Sequence, residues 1–410
     1  MLRRRFLSSM TAAAGAALAM SADPALAQLA STLVPAPMRG PTYRNLLILI
    51  ELKGGNDGLN TVIPYDDPNY RVLRKRIGID RERVIALDER TGLHPALEPL
   101  LPLWHEGHLA IVQGVSYPQP NLSHFHSIEI WNTASRADEY LDDGWLTRAF
   151  AQAPVPAGFA ADALVIGSAE MGPLAGGARA IALVNPAQFA QASRLVQPTA
   201  LRERNGELAH ILDVENDIVH AALRLKPHPG EFALKTPFPS GAFGTAAKTA
   251  MQALASADTP RGQPIAGQGV AAIRLTLNGF DTHQNQSGQH AALLAQLAQG
   301  LTAMRAALIE LGRWDDTLIA TYGEFGRRPR ENETNGTDHG TVAPHFVAGG
   351  RVRGGLYGPA PVLARLDGNG NLPVGIDFRQ IYATVLGPWW GIDASRVLRG
   401  HFEPLPLLRV

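Results

Sequence analysis

The segment NGTDHGTVAPHF, residues 335–346, places one aspartate and two histidines close together among glycines and other small residues. Asp338 and His339 are adjacent, and carboxylates and imidazoles are side chains that divalent metals accept as ligands. Gly336 and Gly340 flank the pair and would let the backbone bend closely around an ion. The same residues also fit an ordinary solvated surface loop. The segment alone does not decide between these two interpretations.

A second carboxylate and imidazole occur together in GFDTHQNQSGQH, residues 279–290. Asp281 and His283 alternate, so in an extended backbone both side chains lie on one side of the chain. This pairing suits zinc or a hard divalent cation. The alternative is the polar end of a strand, followed by a helix that begins near Ser287.

A hydroxyl group and two histidines occur in NLSHFHS, residues 121–127. Ser123 precedes a predicted helix, where its side chain can cap the helix or meet an oxyanion in the positive field of the helix N-terminus. His124 can orient that hydroxyl, protonate a leaving group or simply pack. A helix that begins here would separate His124 from His126, so we expect at most one of them in a site.

Other polar side chains also follow predicted strands. Asp57 lies in GGNDGLN, either as a site residue or as the solvated aspartate of an Asx-type turn. Glu324 and Arg327 lie in GEFGRR, and Arg327 can clamp an anionic substrate through its planar guanidinium or form a surface ion pair. His345 begins the next predicted strand and faces either the core or the site.

Short apolar segments that alternate with helical patterns must position these groups. The predicted strands are residues 46–52, 109–115, 163–168, 272–281, 317–325 and 345–350. The predicted helices between them are residues 95–105, 127–133 and 289–311. Such alternation predicts an α/β fold with a mostly parallel central sheet and helices on both faces. In such sheets ligands bind at the carboxyl ends of the strands, which is where the polar groups lie.

Residues 188–269 have a different pattern, with few strand signals and predicted helices at 198–225 and 243–256. We interpret this segment as a helical insertion or cap within a single domain that spans residues 28–410. Of the 410 residues, 37 are basic and 37 acidic, so the charge gives no reason to expect a nucleic-acid partner. The chain has no cysteine, which excludes thiolate metal sites and a cysteine nucleophile.

Residues 1–27 are typical of an export signal. Three arginines at positions 3–5 precede an apolar run at 10–20, and ALA at 25–27 is a small-residue cleavage site. The apolar run is too short and too weakly hydrophobic for a stable membrane span. The arginines followed by Phe-Leu resemble a twin-arginine signal, with a general secretory signal or an uncleaved anchor as alternatives. We expect the twin-arginine machinery to deliver the folded chain to the periplasm or the cell exterior, without a stable membrane span after cleavage.

The segments LKGGNDGLNTVIPY, LSHF, FDTHQNQ, YGEFGRR and GTDHG, in this order, resemble the bacterial family catalogued as domain of unknown function 1501. That family is similar to the alkaline phosphatase and sulfatase superfamily, which has a three-layer α/β core and a metal-dependent site at the strand carboxyl ends. The resemblance implies that Asp57 is the first metal aspartate and that Ser123 is the hydroxyl nucleophile.

The resemblance also implies metal ligation by Asp281 with His283 and by the pair Asp338 and His339. In the superfamily that pair follows its strand directly, whereas here EFGRRPRENETNG intervenes. Glu324 therefore takes the strand-end position, as an additional ligand or in place of one, and the site holds one metal or two. For a final metal histidine the chain offers only His345 and His401, and neither matches well.

Divalent metals lower the pKa of a bound hydroxyl or water and neutralise charge on a phosphoryl or sulfuryl group. The resemblance therefore implies an exported hydrolase of phosphate or sulfate esters, with zinc, magnesium, calcium or manganese and an anionic ester substrate. Its nucleophile would be a hydroxyl group or a metal-activated water. The alternative is a non-catalytic exported binding or assembly protein that keeps the same fold.

Overall fold

The computed structural model describes residues 42–183, 234–257 and 269–409. Residues 1–27 lie outside this part of the chain. The strands are β1 (Leu46–Lys53), β2 (Val62–Ile63), β3 (Ile85–Ala86), β4 (Gly92–Leu93), β5 (Leu109–Ser116), β6 (Ala163–Ile166), β7 (Ala180–Leu183), β8 (Ala272–Asn278), β9 (Thr317–Tyr322), β10 (Gly326–Arg327), β11 (His339–Gly340), β12 (Ala343–Ala348), β13 (Gly355–Tyr357) and β14 (Ile376–Asp377).

Helices connect most of these strands. The α-helices in the described residues are α1 (Gly58–Thr61), α2 (Pro68–Leu73), α3 (Leu101–His105), α4 (His124–Thr133), α5 (Trp145–Gln152), α6 (Ala242–Ala257), α7 (Gln286–Glu310), α8 (Arg379–Thr384) and α9 (Ala394–Leu398). Short 3-10 helices cover Arg81–Arg83, Pro95–Leu100 and Gly172–Leu174, and a π-helical turn covers Val385–Trp389.

Nine strands form one sheet in the order β13-β5-β12-β9-β1-β8-β6-β7, with β14 also paired to β5. Strand β12 runs antiparallel to β5 and β9, and every other neighbouring pair is parallel. The central strand β1 has the sequence LLILIELK and is buried along nearly its whole length, as expected for a parallel strand covered on both faces. The predicted mostly parallel α/β sheet is confirmed.

Two hydrophobic clusters cover the two faces of the sheet. Alternate residues of β1 belong to different clusters: Leu46 and Ile48 pack with α6 and α7, whereas Leu47 and Leu49 pack with α4, α5 and α8. Helix α7 is long and apolar enough to cross a membrane by length and composition alone. Its apolar residues, including Leu294 and Leu301, are buried in the first of these clusters, which accounts for its composition.

Several predicted boundaries shift in the structure. The helix predicted at 243–256 is confirmed as α6, whereas the one predicted at 198–225 lies outside the described residues. The strand predicted at 272–281 ends at Asn278, because Gly279 follows with a φ of 118° that extended backbone does not adopt. The strand predicted at 345–350 begins at Ala343, so His345 lies inside β12 and not at its start.

The carboxyl ends of β1, β5, β8 and β9 meet at one edge of the sheet, because these strands run in the same direction. The antiparallel β12 begins at this edge. The polar segments that follow β1, β5, β8 and β9, and the segment that precedes β12, are therefore brought together.

Candidate metal centre

Three side chains from three of these segments converge at this edge. His124 begins α4, Asp281 follows β8, and His339 lies in the small hairpin formed by β10 and β11. Each offers one ligand atom, and these three atoms lie within 4.8 Å of one another. Asp281 keeps 48% of its side chain exposed, so the cluster is open to solvent. The combination of two imidazoles and one carboxylate is a donor set that zinc accepts.

His124 is held so that one ring nitrogen faces the cluster. Its Nδ1 lies 2.9 Å from Oε1 of Glu324, and its Nε2 lies 3.5 Å from Oδ2 of Asp281. Nε2 is buried and makes no hydrogen bond to any described residue. The hydrogen bond to Glu324 raises the pKa of His124, against the effect of its partial burial. An imidazole that donates Nδ1–H to a carboxylate presents Nε2 as a metal ligand.

His339 is held in the same way by a backbone group. Its Nδ1 donates to the carbonyl oxygen of Leu122 at 2.8 Å, which leaves Nε2 for the cluster. That Nε2 lies 3.4 Å from Oδ1 of Asp281 and 3.0 Å from Nε2 of His283. His283 Nε2 in turn lies 3.1 Å from Oδ1 of Asp281. Three imidazole nitrogens thus surround one carboxylate, and His283 is next to the three-residue cluster.

Arg327 is placed neither as a substrate clamp nor as a surface ion pair, the two roles expected from the sequence. Its guanidinium is buried and donates to Oδ1 of Asp281 at 2.6 Å. Its other donors bind backbone carbonyls, with Nε 2.8 Å from the oxygen of Gly55 and Nη1 2.9 Å from that of Thr337, and Nη1 also lies 3.4 Å from Nε2 of His283. Arg327 therefore ties together the segments after β1 and β8 and before β11. Partial burial would raise the pKa of Asp281, but Arg327 lowers it below its usual value.

Glu324 lies behind His124 and is not among the three converging ligand atoms. Its Oε1 accepts hydrogen bonds from the backbone N–H of Gly54 at 2.8 Å and from His124. Its Oε2 is buried and has no hydrogen-bond partner among the described residues. The sequence suggested a ligand at this position, whereas the structure gives Glu324 the geometry of a residue that positions His124.

Asp57 lies at the same edge but is engaged elsewhere. Arg74 contacts both of its carboxylate oxygens, with Nη2 2.8 Å from Oδ1, and the side-chain amide of Gln286 donates to Oδ2. Burial would raise the pKa of Asp57, but Arg74 outweighs it and the pKa is lowered. The carboxylate is therefore neutralised inside the protein. This arrangement does not match the expected first metal aspartate.

Asp338 and His339 are adjacent in sequence but have different surroundings. Asp338 is exposed, accepts a hydrogen bond from Nδ2 of Asn332 at 3.1 Å, and lies 3.6 Å from Nδ1 of His283. Neighbouring side chains of extended backbone point to opposite sides, and β11 begins at His339. Only His339 joins the three-residue cluster, and Asp338 lies at its rim next to His283.

Ser123 lies between two residues that build the centre. The carbonyl of Leu122 binds His339, and His124 contributes Nε2. Ser123 is exposed and holds the N-cap position of α4, but its side chain makes no capping hydrogen bond. The interpretation of Ser123 as a helix cap is therefore not supported, and its hydroxyl group is free of that role.

The other three histidines considered in the sequence analysis lie outside the three-residue cluster. Nε2 of His126 contacts the carbonyl of Ala137 at 3.2 Å, as expected if only one histidine of NLSHFHS belongs to the site. His345 packs against Trp131, and burial lowers its pKa to about 3. His401 is on the surface with 84% of its side chain exposed.

Sequence reasoning missed three residues that shape this region. Phe325 places its ring 4.8 Å from the ring of His124 and 4.6 Å from that of His339, and so forms an apolar wall. Its position inside GEFGRR was a usable signal. Arg74, directly after α2, and Gln286, at the start of α7, bind Asp57. Arginine and glutamine are ordinary surface residues at such helix ends, so no signal marked them.

Residues 110–402 match the model of a family described as a protein of unknown function, DUF1501. The chain belongs to this family. No curated protein matches the chain.

Several solved structures resemble the chain at low sequence identity. The lipoteichoic acid synthase LtaP from Listeria monocytogenes is 11% identical, with a TM-score of 0.37 and coverage of 87% of this chain and 75% of that one. A protein of glycosaminoglycan metabolism from Bacteroides thetaiotaomicron is 10% identical, with a TM-score of 0.37 and coverage of 85% and 72%. Alkaline phosphatase from the Antarctic bacterium TAB5 is 10% identical, with a TM-score of 0.32 and coverage of 76% and 92%.

Proposed function

We propose that this chain is an exported, metal-dependent hydrolase of phosphate or sulfate esters, and that His124, Asp281 and His339 hold its metal ion. The observation that carries this proposal is the convergence of their ligand atoms within 4.8 Å, with Nε2 of His124 buried and without a hydrogen bond to any described residue. A buried nitrogen without a hydrogen bond costs free energy, and a cation at this position would remove that cost.

The donor set fits zinc better than the other candidate ions. Imidazole nitrogens suit zinc, whereas magnesium and calcium prefer sites made of oxygen atoms. Two imidazoles and one carboxylate also leave a coordination position open, as catalytic zinc sites do. Glu324 and the carbonyl of Leu122 fix the two rings from behind, which supports a site built for a metal.

The residues around the centre can take distinct parts in ester hydrolysis. A bound divalent ion supplies Lewis acidity and lowers the pKa of an oxygen nucleophile. Arg327 keeps Asp281 ionised and in place. Ser123 offers an exposed hydroxyl at the N-terminus of α4, where the helix dipole favours the negative charge of an ester anion. Ser123 is therefore the candidate nucleophile, with water as the alternative.

One observation favours the second candidate function, a non-catalytic binding or assembly protein. The cation expected to clamp the substrate, Arg327, is buried and binds Asp281 and backbone carbonyls. In this function the metal would join the loops after β5 and β8 to the hairpin formed by β10 and β11, and no turnover would occur.

Elemental analysis of the protein purified after export tests the metal site. The double substitution Asp281→Asn with His339→Ala should remove the metal and lower the unfolding temperature, since a bound ion stabilises the folded state. His126→Ala, on the same helix as His124 but outside the cluster, is the matched control and should keep the metal. Stoichiometric metal in the double variant would refute the assignment.

Turnover of aryl phosphate and aryl sulfate esters separates the two functions. If Ser123 is the nucleophile, Ser123→Ala should abolish turnover while the metal content stays unchanged. If Ser123→Ala still turns over these esters, water is the nucleophile. A metal-loaded wild-type protein that hydrolyses neither class of ester would favour the binding or assembly function.

Export remains part of the proposal and rests on the leader sequence. Replacement of the three arginines at positions 3–5 by lysine should retain the uncleaved precursor in the cytoplasm, because twin-arginine signals depend on arginine. Unchanged export of this variant would contradict the twin-arginine assignment and leave a general secretory signal.

A further inference from the structure

A cavity of about 140 Å³ lies next to the candidate metal centre and shares Arg327 with it. None of His124, Asp281 and His339 lines this cavity. Its walls come from α1, from the start of β12 and from the chain between β13 and β14. The cavity is therefore a separate space, and its contents can be considered apart from the metal.

The walls of the cavity are almost entirely apolar, with Leu59, Val342 and Leu372 among them. Arg327 is one exception, and its guanidinium is engaged with Asp281 and backbone carbonyls. Gln113 on β5 is the other. Apolar walls strongly disfavour a charged ligand, because they would remove its hydration without replacing it.

Gln113 is buried, with 4% of its surface exposed, and it lines the cavity. Alternate residues of a strand face the same side, so Gln113 faces with Leu109 and Ile111 toward the cluster that contains Val62. Val62 also lines the cavity. Neither amide atom of Gln113 is among the buried atoms without a partner, so solvent reaches the amide from the cavity, and a ligand there can replace water as its hydrogen-bond partner.

The cavity has a rigid wall and an apolar entrance. The chain between β13 and β14 contributes three prolines to the lining, at positions 359, 361 and 373, and their fixed φ angles keep this wall in place. Two lining residues of the same segment, Val362 and Val374, are exposed at 48% and 37%. A preformed, apolar space with one polar group is the usual construction of a small-molecule site.

We propose that this cavity binds a small neutral ligand that consists of one apolar ring and carries a hydroxyl or carbonyl group, which Gln113 recognises. The volume sets the size, because an apolar cavity of roughly 150 Å³ accepts benzene. The amide of Gln113 can both donate and accept, so it suits either polar group.

Phenol and toluene are suitable probes, because they have the same shape and differ in whether they can hydrogen-bond. We expect ligand-detected NMR titration of the mature protein to give phenol an affinity about tenfold higher than toluene, the effect of one hydrogen bond. The protein is first treated with EDTA so that phenol cannot bind through a metal. Gln113→Leu should remove the preference for phenol while toluene still binds.

Ala360→Trp tests whether the probes bind in this cavity. Ala360 is exposed and lines the cavity, so a large side chain at this position can block it. A tryptophan there should weaken both probes at least tenfold. Val72→Trp, at an exposed apolar position outside the cavity lining, is the matched control and should bind as the wild type does.

Three results would overturn the proposal. They are the absence of phenol binding to the wild type, equal affinity for phenol and toluene, and wild-type binding by Ala360→Trp. If Gln113→Leu fails to fold, two measurements still test the proposal. They are the ratio of the phenol and toluene affinities of the wild type and the binding of both probes by Ala360→Trp.

Discussion

At the scale of single residues, the geometry of the candidate metal centre depends on the hydrogen-bond partner of each histidine ring nitrogen that faces away from the cluster. Nδ1 of His124 is fixed by the carboxylate of Glu324, and that carboxylate is itself fixed by the backbone N–H of Gly54. Such a partner sets the tautomer of the imidazole and raises its basicity as a ligand. Glu324 therefore acts on a metal through His124.

Glu324→Gln should lower metal affinity by about 10- to 100-fold, the usual effect of losing such a partner, without loss of the fold. Competition with a chromogenic chelator measures this change. Glu170→Gln, which removes an exposed carboxylate paired with Lys53, is the control and should leave affinity unchanged. If Glu324→Gln binds metal as tightly as the wild type, Glu324 has no positioning role.

Asp57 provides a prediction that separates an ion pair from a metal ligand. Asp57→Asn should cost about 3–5 kcal/mol of unfolding free energy, because it leaves Arg74 buried without its counter-ion. Folded Asp57→Asn protein should still hold metal at the wild-type stoichiometry. Denaturant titration and elemental analysis give the two quantities, and Asp57→Asn with Arg74→Met should be less destabilised than Asp57→Asn alone. Loss of metal with little change in stability would restore Asp57 as a ligand.

At the scale of elements, the hairpin formed by β10 and β11 carries both Arg327 and His339 to the centre. The two strands approach closely, and a Cβ atom on Gly340 would lie 2.4 Å from the carbonyl carbon of Arg327. Contacts this short force backbone to move. A glycine at this position therefore keeps the two site residues at their observed separation.

Gly340→Ala should destabilise the protein by about 1–3 kcal/mol and weaken metal binding, because the added methyl group separates the two strands. Thermal unfolding and metal titration measure the two effects. Gly368 lies in a loop where an added Cβ would meet no atom within 4 Å, so Gly368→Ala is the matched control. Equal unfolding temperatures and equal metal affinities of the two variants would show that the close approach of β10 and β11 at Gly340 does not matter for the centre.

The sequence predicted elements well where periodicity and burial act locally. The apolar run of β1 and the stripe of leucines on α7 were sufficient to place both. The two-residue strands β10 and β11 have no periodicity and escaped prediction. The partner of Asp57 also escaped, because a surface arginine and a buried one look alike in sequence. The candidate residues were selected from the sequence by their strand-end positions, with His124 as a catalytic residue, whereas their division into proposed ligands and supporting groups required the fold.

At the scale of the whole molecule, several histidines are buried in a neutral state. Burial lowers the pKa of His94 and of His290 to about 4, and that of His345 to about 3. His290 hydrogen-bonds to Asn56 and lies near the ring of His94, whereas His345 is on the opposite side of the fold next to Trp131. The histidines that take up protons when the protein unfolds therefore lie on both sides of the sheet.

These three histidines should make the protein sensitive to acid. Their pKa values are lower in the folded state than the ordinary value near 6.5, so between about pH 4 and 6.5 the unfolded chain binds more protons than the folded one. The contribution of these neutral, buried histidines to the unfolding free energy is thus fully present above pH 6.5 and is lost as the pH falls toward 4. Three protons correspond to a slope of about 4 kcal/mol per pH unit in the middle of this window.

Urea denaturation at a series of pH values measures this slope. His345→Leu should reduce it by about 1.4 kcal/mol per pH unit, the contribution of one proton, whatever the variant does to stability at pH 7. His401→Ala is the control, because His401 is on the surface, and its slope should equal that of the wild type. A slope unchanged by His345→Leu would mean that His345 takes up no proton when the protein unfolds in this range. The acid sensitivity would then have to come from other groups whose pKa is lowered in the folded state, such as His94 and His290 on the other side of the sheet.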